Sequence, residues 1–335
     1  MTPFRFAITF AAGCVLLALP CFRIAFAQDP ASDGGVMDQG QLPDSVTVET
    51  VPAPDADGDA VTLTLRRDAR IDQTTEIQKN VSESKLTTLS KDGSVFKKYS
   101  VKLSVKADLI VRIVDVNGKG EPVKSRVFVK SLAGVGYTGQ GGNAVHCQGA
   151  TVLVSLAPAV TIARSDKHPL TPADQTYLQL LFKPVKPTAP DTNALYAVNH
   201  PVKLGDSWAP PSDILAQYAM DEAGFEVPSA NLQGTVMFAR EISWLGDDID
   251  VIDLSVTAEG IPAPDRDGAL KDASATLTIE AEKMAPSDAG KALVGESLHT
   301  TLDITAVSNA PKTAGAQYKQ HIDRDMSWRT VRVIK

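Results

Sequence analysis

The sequence predicts a mainly β protein of the α+β class, built from twisted antiparallel sheets and two short helices. Apolar and polar residues alternate at a period of two over most of the chain, turn-forming residues separate these runs, and helical spacing with start signals occurs only twice. The 335 residues suffice for one large domain or two ordinary ones, and a hydrophobic fraction of 43% excludes wholesale disorder.

In chain order, an export segment comes first. Arg5 precedes an apolar run over residues 6–19, and Ala25-Phe26-Ala27 has the small-x-small pattern of a signal peptidase site. Residues 1–27 are therefore expected to be removed, with cleavage between Ala27 and Gln28, giving a periplasmic or extracellular protein. No stretch reaches the roughly 20 apolar residues that a membrane span needs. Cys14 and Cys21 fall in the export segment, leaving Cys147, beside His146, to be read as a buried small hydrophobe or a reactive thiol. Residues 28–60 hold eight acidic and no basic side chains among repeated Pro and Gly, the composition of a flexible acidic linker.

Strands are expected next. Over 95–106, Val95, Tyr99, Val101, Leu103 and Val105 share one face, and Lys98, Ser100, Lys102, Ser104 and Lys106 share the other. Residues 109–116 are apolar on both faces, Asn117-Gly118-Lys119-Gly120 is a turn, and 123–132 alternates again, so three strands form an expected meander. Further strands are expected at 61–67, 70–81, 151–162, 234–245, 249–258, 274–284, 297–307, 316–323 and 327–334.

Two helices interrupt them. Thr171-Pro172-Ala173-Asp174 supplies an N-cap, a first-turn proline and an acidic third position ahead of Tyr177, Leu178, Leu181 and Phe182. Ser212, as cap, and Asp213 introduce Ile214, Leu215, Tyr218 and Ala219, with an end near Gly224. The break near residue 200 divides the body into β-rich units 61–200 and 201–335, either separate or one continuous domain. A short echo, Val51-Pro52-Ala53-Pro54-Asp55 against Ile261-Pro262-Ala263-Pro264-Asp265, fits a duplicated unit or a chance match of turn formers.

The formal charge of −7 excludes a generally basic nucleic-acid binder, and the acidic linker accounts for most of it. Residues 61–131 carry 15 basic and 8 acidic side chains, whereas 132–260 carry 6 and 14. Lys98, Lys102, Lys106, Lys124, Arg126 and Lys130 form the candidate basic face, suited to a lipid or an anionic envelope polymer.

Other motifs carry less. Gly134-Val135-Gly136-Tyr137-Thr138-Gly139 matches a dinucleotide fingerprint by letter, but no helix follows to hold a pyrophosphate, so a glycine-rich loop is expected. Asp55, Asp57 and Asp59 alternate as calcium ligands do, without the closing glycine and acid. Gly205-Asp206-Ser207-Trp208 invites a serine-hydrolase reading, with His200, His299 and His321 as candidate bases. Bulky Trp208 and Pro210-Pro211 suit instead a turn anchored by tryptophan. The histidines show no zinc spacing. No catalytic residue, metal or cofactor is assigned.

The decapeptide Asn199-His200-Pro201-Val202-Lys203-Leu204-Gly205-Asp206-Ser207-Trp208 resembles the P-V-K-x-G-D-S-W signature of uncharacterised exported bacterial β-rich proteins. These are broadly similar to the open half-barrels of periplasmic lipoprotein carriers. The resemblance implies half-barrel-like units and a non-enzymatic binding protein sheltering an apolar or lipid ligand on a curved sheet. The alternatives are an envelope interaction module using the basic face and a hydrolase using Ser207.

Overall fold

A computed structural model describes residues 60–334 apart from 64, 66–68, 137–143, 186–190, 265–267 and 289. These residues belong to the compact unit Val51–Lys335. The export segment, its cleavage site, nearly all of the acidic linker and the aspartates at 55–59 lie outside the described residues.

Two antiparallel meanders share one open sheet. The first runs through β1 (Thr74–Lys91), β2 (Ser94–Val116), β3 (Pro122–Val135), β4 (Thr151–Ser155) and β5 (Thr161–Arg164). The second runs through β6 (Ser207–Trp208), β7 (Leu232–Trp244), β8 (Asp247–Pro262), β9 (Leu270–Pro286), β10 (Gly295–Ser308) and β11 (Gln317–Ile334). Their spatial order, β5-β4-β3-β2-β1-β11-β10-β9-β8-β7-β6, makes β1 and β11 central neighbours, paired from Thr74 opposite Ile334 to Ser90 opposite Gln317 with one register shift between Glu76 and Ile77. The predicted mainly β, antiparallel class with two short helices is what the structure shows.

Several boundaries differ. The runs at 95–106 and 109–116 are one strand, β2, so the expected three-strand meander is a hairpin pair. Ala107 and Asp108 stay in the ladder, and a bulge between Asp108 and Leu109 absorbs the change of pattern. The runs at 316–323 and 327–334 likewise merge into β11. Residues 82–91 continue β1 up to a hairpin turn where Asp92 (φ 52°) and Gly93 (φ 80°) both take positive φ. Of the strand expected at 61–67, Val61 forms a single bridge, to Val202.

Helix α1 (Pro172–Leu181) begins as read: Thr171 and Asp174 form a reciprocal capping box. Helix α2 (Ser212–Ala223) ends at left-handed Gly224, but its N-cap is Pro211, which has no side-chain cap, and Ser212 is the first helical residue. Both helices pack on the same sheet face. Under α1, Tyr177, Leu178 and Leu181 meet Val105, Leu109, Val127 and Val152. Under α2, Leu215 and Ala219 join Val236, Leu254, Ile279 and Leu298. Between these clusters runs a charged seam, in which buried Lys283 donates to Asn193 at 2.7 Å and lies over the Tyr196 ring.

Candidate functional site

Alternation assigns the opposite sheet face. Val236, Leu254, Ala281, Leu298, Met326, Val81 and Val105 form one cross-strand row on the helix side. Their neighbours must point the other way. One such row runs Thr235, Ser255, Glu280, His299, Asp325, Ser82 and Ser104; the next runs Met237, Asp253, Glu282, Ser297, Ser327, Asn80 and Lys106. All fourteen line a single cavity of about 790 Å³. One cavity touching seven adjacent strands requires this face to curve inward as a trough.

The lower end of the trough is closed by a small apolar plug. Ile249, Val251 and Val294 are buried there, with Ile242, Trp244 and Met284 packed on them. The Trp244 indole N–H donates to the Thr330 carbonyl at 3.0 Å, and the Arg329 guanidinium lies 5.6 Å from its ring centre.

The walls differ in charge. On β8 and β9 stand Asp253, Glu280 and Glu282; on β2 stands Lys106. Glu282 is paired with Arg240. The half-buried Asp253 carboxylate accepts no hydrogen bond from any described residue; burial first and then the Glu282 charge push it above the usual range, against the pull of Arg240. Mid-trough, His299 Nδ1 lies 2.8 Å from Asp325 and 3.5 Å from Asp323, with its Nε2 3.2 Å from the Thr301 hydroxyl. The Asp325 hydrogen bond raises the imidazole's pKa. These three acid and imidazole groups have donor atoms within 4.8 Å of one another. The imidazole's bonds account for them as a cross-strand ion pair.

The six basic residues occupy alternate exposed positions of β2 (Lys98, Lys102, Lys106) and β3 (Lys124, Arg126, Lys130). Lys106 enters the trough, Lys98 and Lys102 continue toward the β1–β2 turn, and Lys130 shares the buried Glu76 carboxylate with Arg332.

Ser207 is exposed on β6, opposite Met237. No described histidine hydrogen-bonds it: His200 lies by Asn199, His299 by Asp325 and His321 by Asp303. The turn reading fits, because the Asp206 carboxylate accepts from the Lys203 amide at 2.8 Å and Trp208 packs on the α2 core. Cys147 is fully buried, and burial pushes its thiol up to about 12, so it packs as a hydrophobe. In the glycine run, Gly134 leaves room for the Tyr177 ring and Gly136 (φ 92°) lies against the Lys102 carbonyl. Residues 137–143 lie outside the described set.

Asp253, Glu280, Glu282 and Asp325 do not stand out in the sequence, and His299 does so only as a candidate base for Ser207. Their signal is ordinary alternation on a polar strand face, and only the curvature gathers them.

No family model and no curated protein matches the chain. Among solved structures, one described as lipid-protein interactions in lipovitellin matches at TM-score 0.30 and 8% identity, covering 79% of this chain and 26% of that one. The chain thus spans about a quarter of that protein. Pseudomonas aeruginosa OpdQ matches at TM-score 0.19 and 7% identity, covering 78% of this chain and 98% of that one. Acinetobacter baumannii OccAB4 matches at TM-score 0.15 and 8% identity, covering 77% and 98%. Likenesses at that level carry no weight for fold or ligand.

Proposed function

We propose that this is an exported binding protein that holds an extended polar ligand, bearing a cationic group, in the trough. The observation that carries the reading is Asp253, a half-buried carboxylate that faces the cavity without a hydrogen-bond partner among the described residues. Partial burial and the neighbouring Glu282 make its charged form costly in the empty protein, a cost that is offset when a ligand amine or guanidinium arrives. Short serine, threonine and asparagine side chains along the floor leave width for a chain and supply donors and acceptors. Lys106 on the far wall suits an anionic group at the other end of the ligand.

A lipid ligand, implied by the half-barrel resemblance, has a cavity of suitable size. Its apolar chain would lie against one large inward-facing apolar side chain, Met237, and against charged walls. The polar reading therefore has the better support. Calorimetric titration with tetralysine tests it: the expected result is salt-sensitive binding that Asp253→Asn weakens roughly tenfold. Uptake of a fluorescent fatty acid with no response to tetralysine would overturn it.

A further inference from the structure

Among the described residues, β3 pairs with β2 only over Ser104–Val116, and residues 94–103 pair with β1 alone. Every residue from Ser94 to Lys102 is exposed. Large apolar side chains concentrate here: Val95 is 59% exposed, Phe96 53%, Tyr99 45% and Val101 60%. Tyr99 and Val101 continue the apolar row of β2, but the positions packed under α1 begin at Leu103. Four such residues within seven positions form a patch, unlike the scattered single exposures normal on a surface.

Residues 85–103 also carry five lysines and one acid, Asp92. Lys85, Lys91, Lys97, Lys98 and Lys102 form no ion pair with described residues, and Lys97 lies 4.9 Å over the Tyr99 ring.

We infer that this hairpin end docks on the surface of an anionic lipid bilayer. Aromatic and aliphatic side chains interleaved with lysines suit the headgroup boundary, where rings sit among glycerol groups and ammonium groups meet phosphates. Addition of a partner strand is the weaker fit, because lysines along the edge and the bulge at Leu89/Ser90 are features that discourage strand pairing.

The test is vesicle flotation of the chain with phosphatidylcholine alone and with an equal mixture of phosphatidylcholine and phosphatidylglycerol. The chain is expected to float with the mixed vesicles and to be released by high salt. Phe96→Ser/Tyr99→Ser should weaken partitioning at least tenfold, and Lys97→Gln/Lys98→Gln roughly thirtyfold, at about fivefold per lysine. All four positions are exposed, so the variants should keep the parent's thermal midpoint. All chains begin at Gln28, so that the apolar N-terminal segment adds no bilayer affinity of its own. Failure of the parent to bind mixed vesicles, or equal binding by both double variants, would overturn the inference.

Discussion

Trp244 on β7 donates its indole N–H to the main-chain carbonyl of Thr330 on β11, across three intervening strands. On a flat sheet four strand spacings are roughly 19 Å, far beyond an indole's reach. The sheet therefore rolls at this end, and the trough is the inside of the roll.

Loss of that contact should loosen the roll. Trp244→Phe removes the hydrogen bond and is expected to cost about 1 kcal/mol, whereas Trp244→Ala also strips the plug of its largest ring and should cost roughly 3 kcal/mol. Urea unfolding measures both. Equal costs would place the stabilisation in the hydrogen bond instead of the packing.

Gly134 and Tyr177 show a second dependence. A β-carbon at Gly134 would lie 2.5 Å from the ring of Tyr177, which is fully buried and has no room to retreat. Gly134→Ala should destabilise by roughly 1–3 kcal/mol through overpacking. Adding Tyr177→Leu should then cost less than it does in the parent, because the clash and the ring are removed together. Strict additivity in thermal melts would show that the two positions do not interact.

What the sequence made legible follows from this geometry. Alternation marks which side chains share a face, and caps such as Thr171 and Asp174 mark where a helix starts; both are local, and both were readable. Asp92-Gly93 is a strong hairpin signal of the same local kind and marks the β1–β2 turn. The pairing of the first strand with the last joins residues more than 200 positions apart, and the roll that Trp244 and Thr330 report rests on a contact 86 positions apart. No local pattern encodes them. Hence Asp253 reads as an ordinary polar strand position, and His299 only as a candidate base for Ser207.

Lys79 lies in the charged seam, 5.7 Å from the Phe182 ring centre. Burial lowers its pKa from 10.5 to about 8, against the pull of Glu296. Between those values the unfolded chain holds the proton and the folded chain does not, so stability should rise with pH across that window. Below about 8 the penalty of a buried ammonium is fully present. Lys79→Met should therefore stabilise at pH 7, by about 1 kcal/mol, and flatten the alkaline rise. Urea midpoints at both ends of the window measure it; an unchanged slope would mean that another group titrates there.

Asp253 should show the opposite trade between stability and binding. Its carboxyl is raised, by burial first and by Glu282 second, so the folded chain releases this proton less readily than the unfolded chain. The stabilisation is present below the unfolded value and is lost as pH rises through the folded one, leaving a net cost at neutral pH. Asp253→Asn removes the charge while keeping the shape, and is expected to raise the thermal midpoint at pH 7 by a few degrees and to leave it unchanged near pH 3. The same substitution should weaken tetralysine binding. A residue that destabilises the empty protein yet strengthens the complex is held for its ligand. If Asp253→Asn instead lowers the midpoint at pH 7, the carboxylate is satisfied within the fold and cannot be the anchor of the trough.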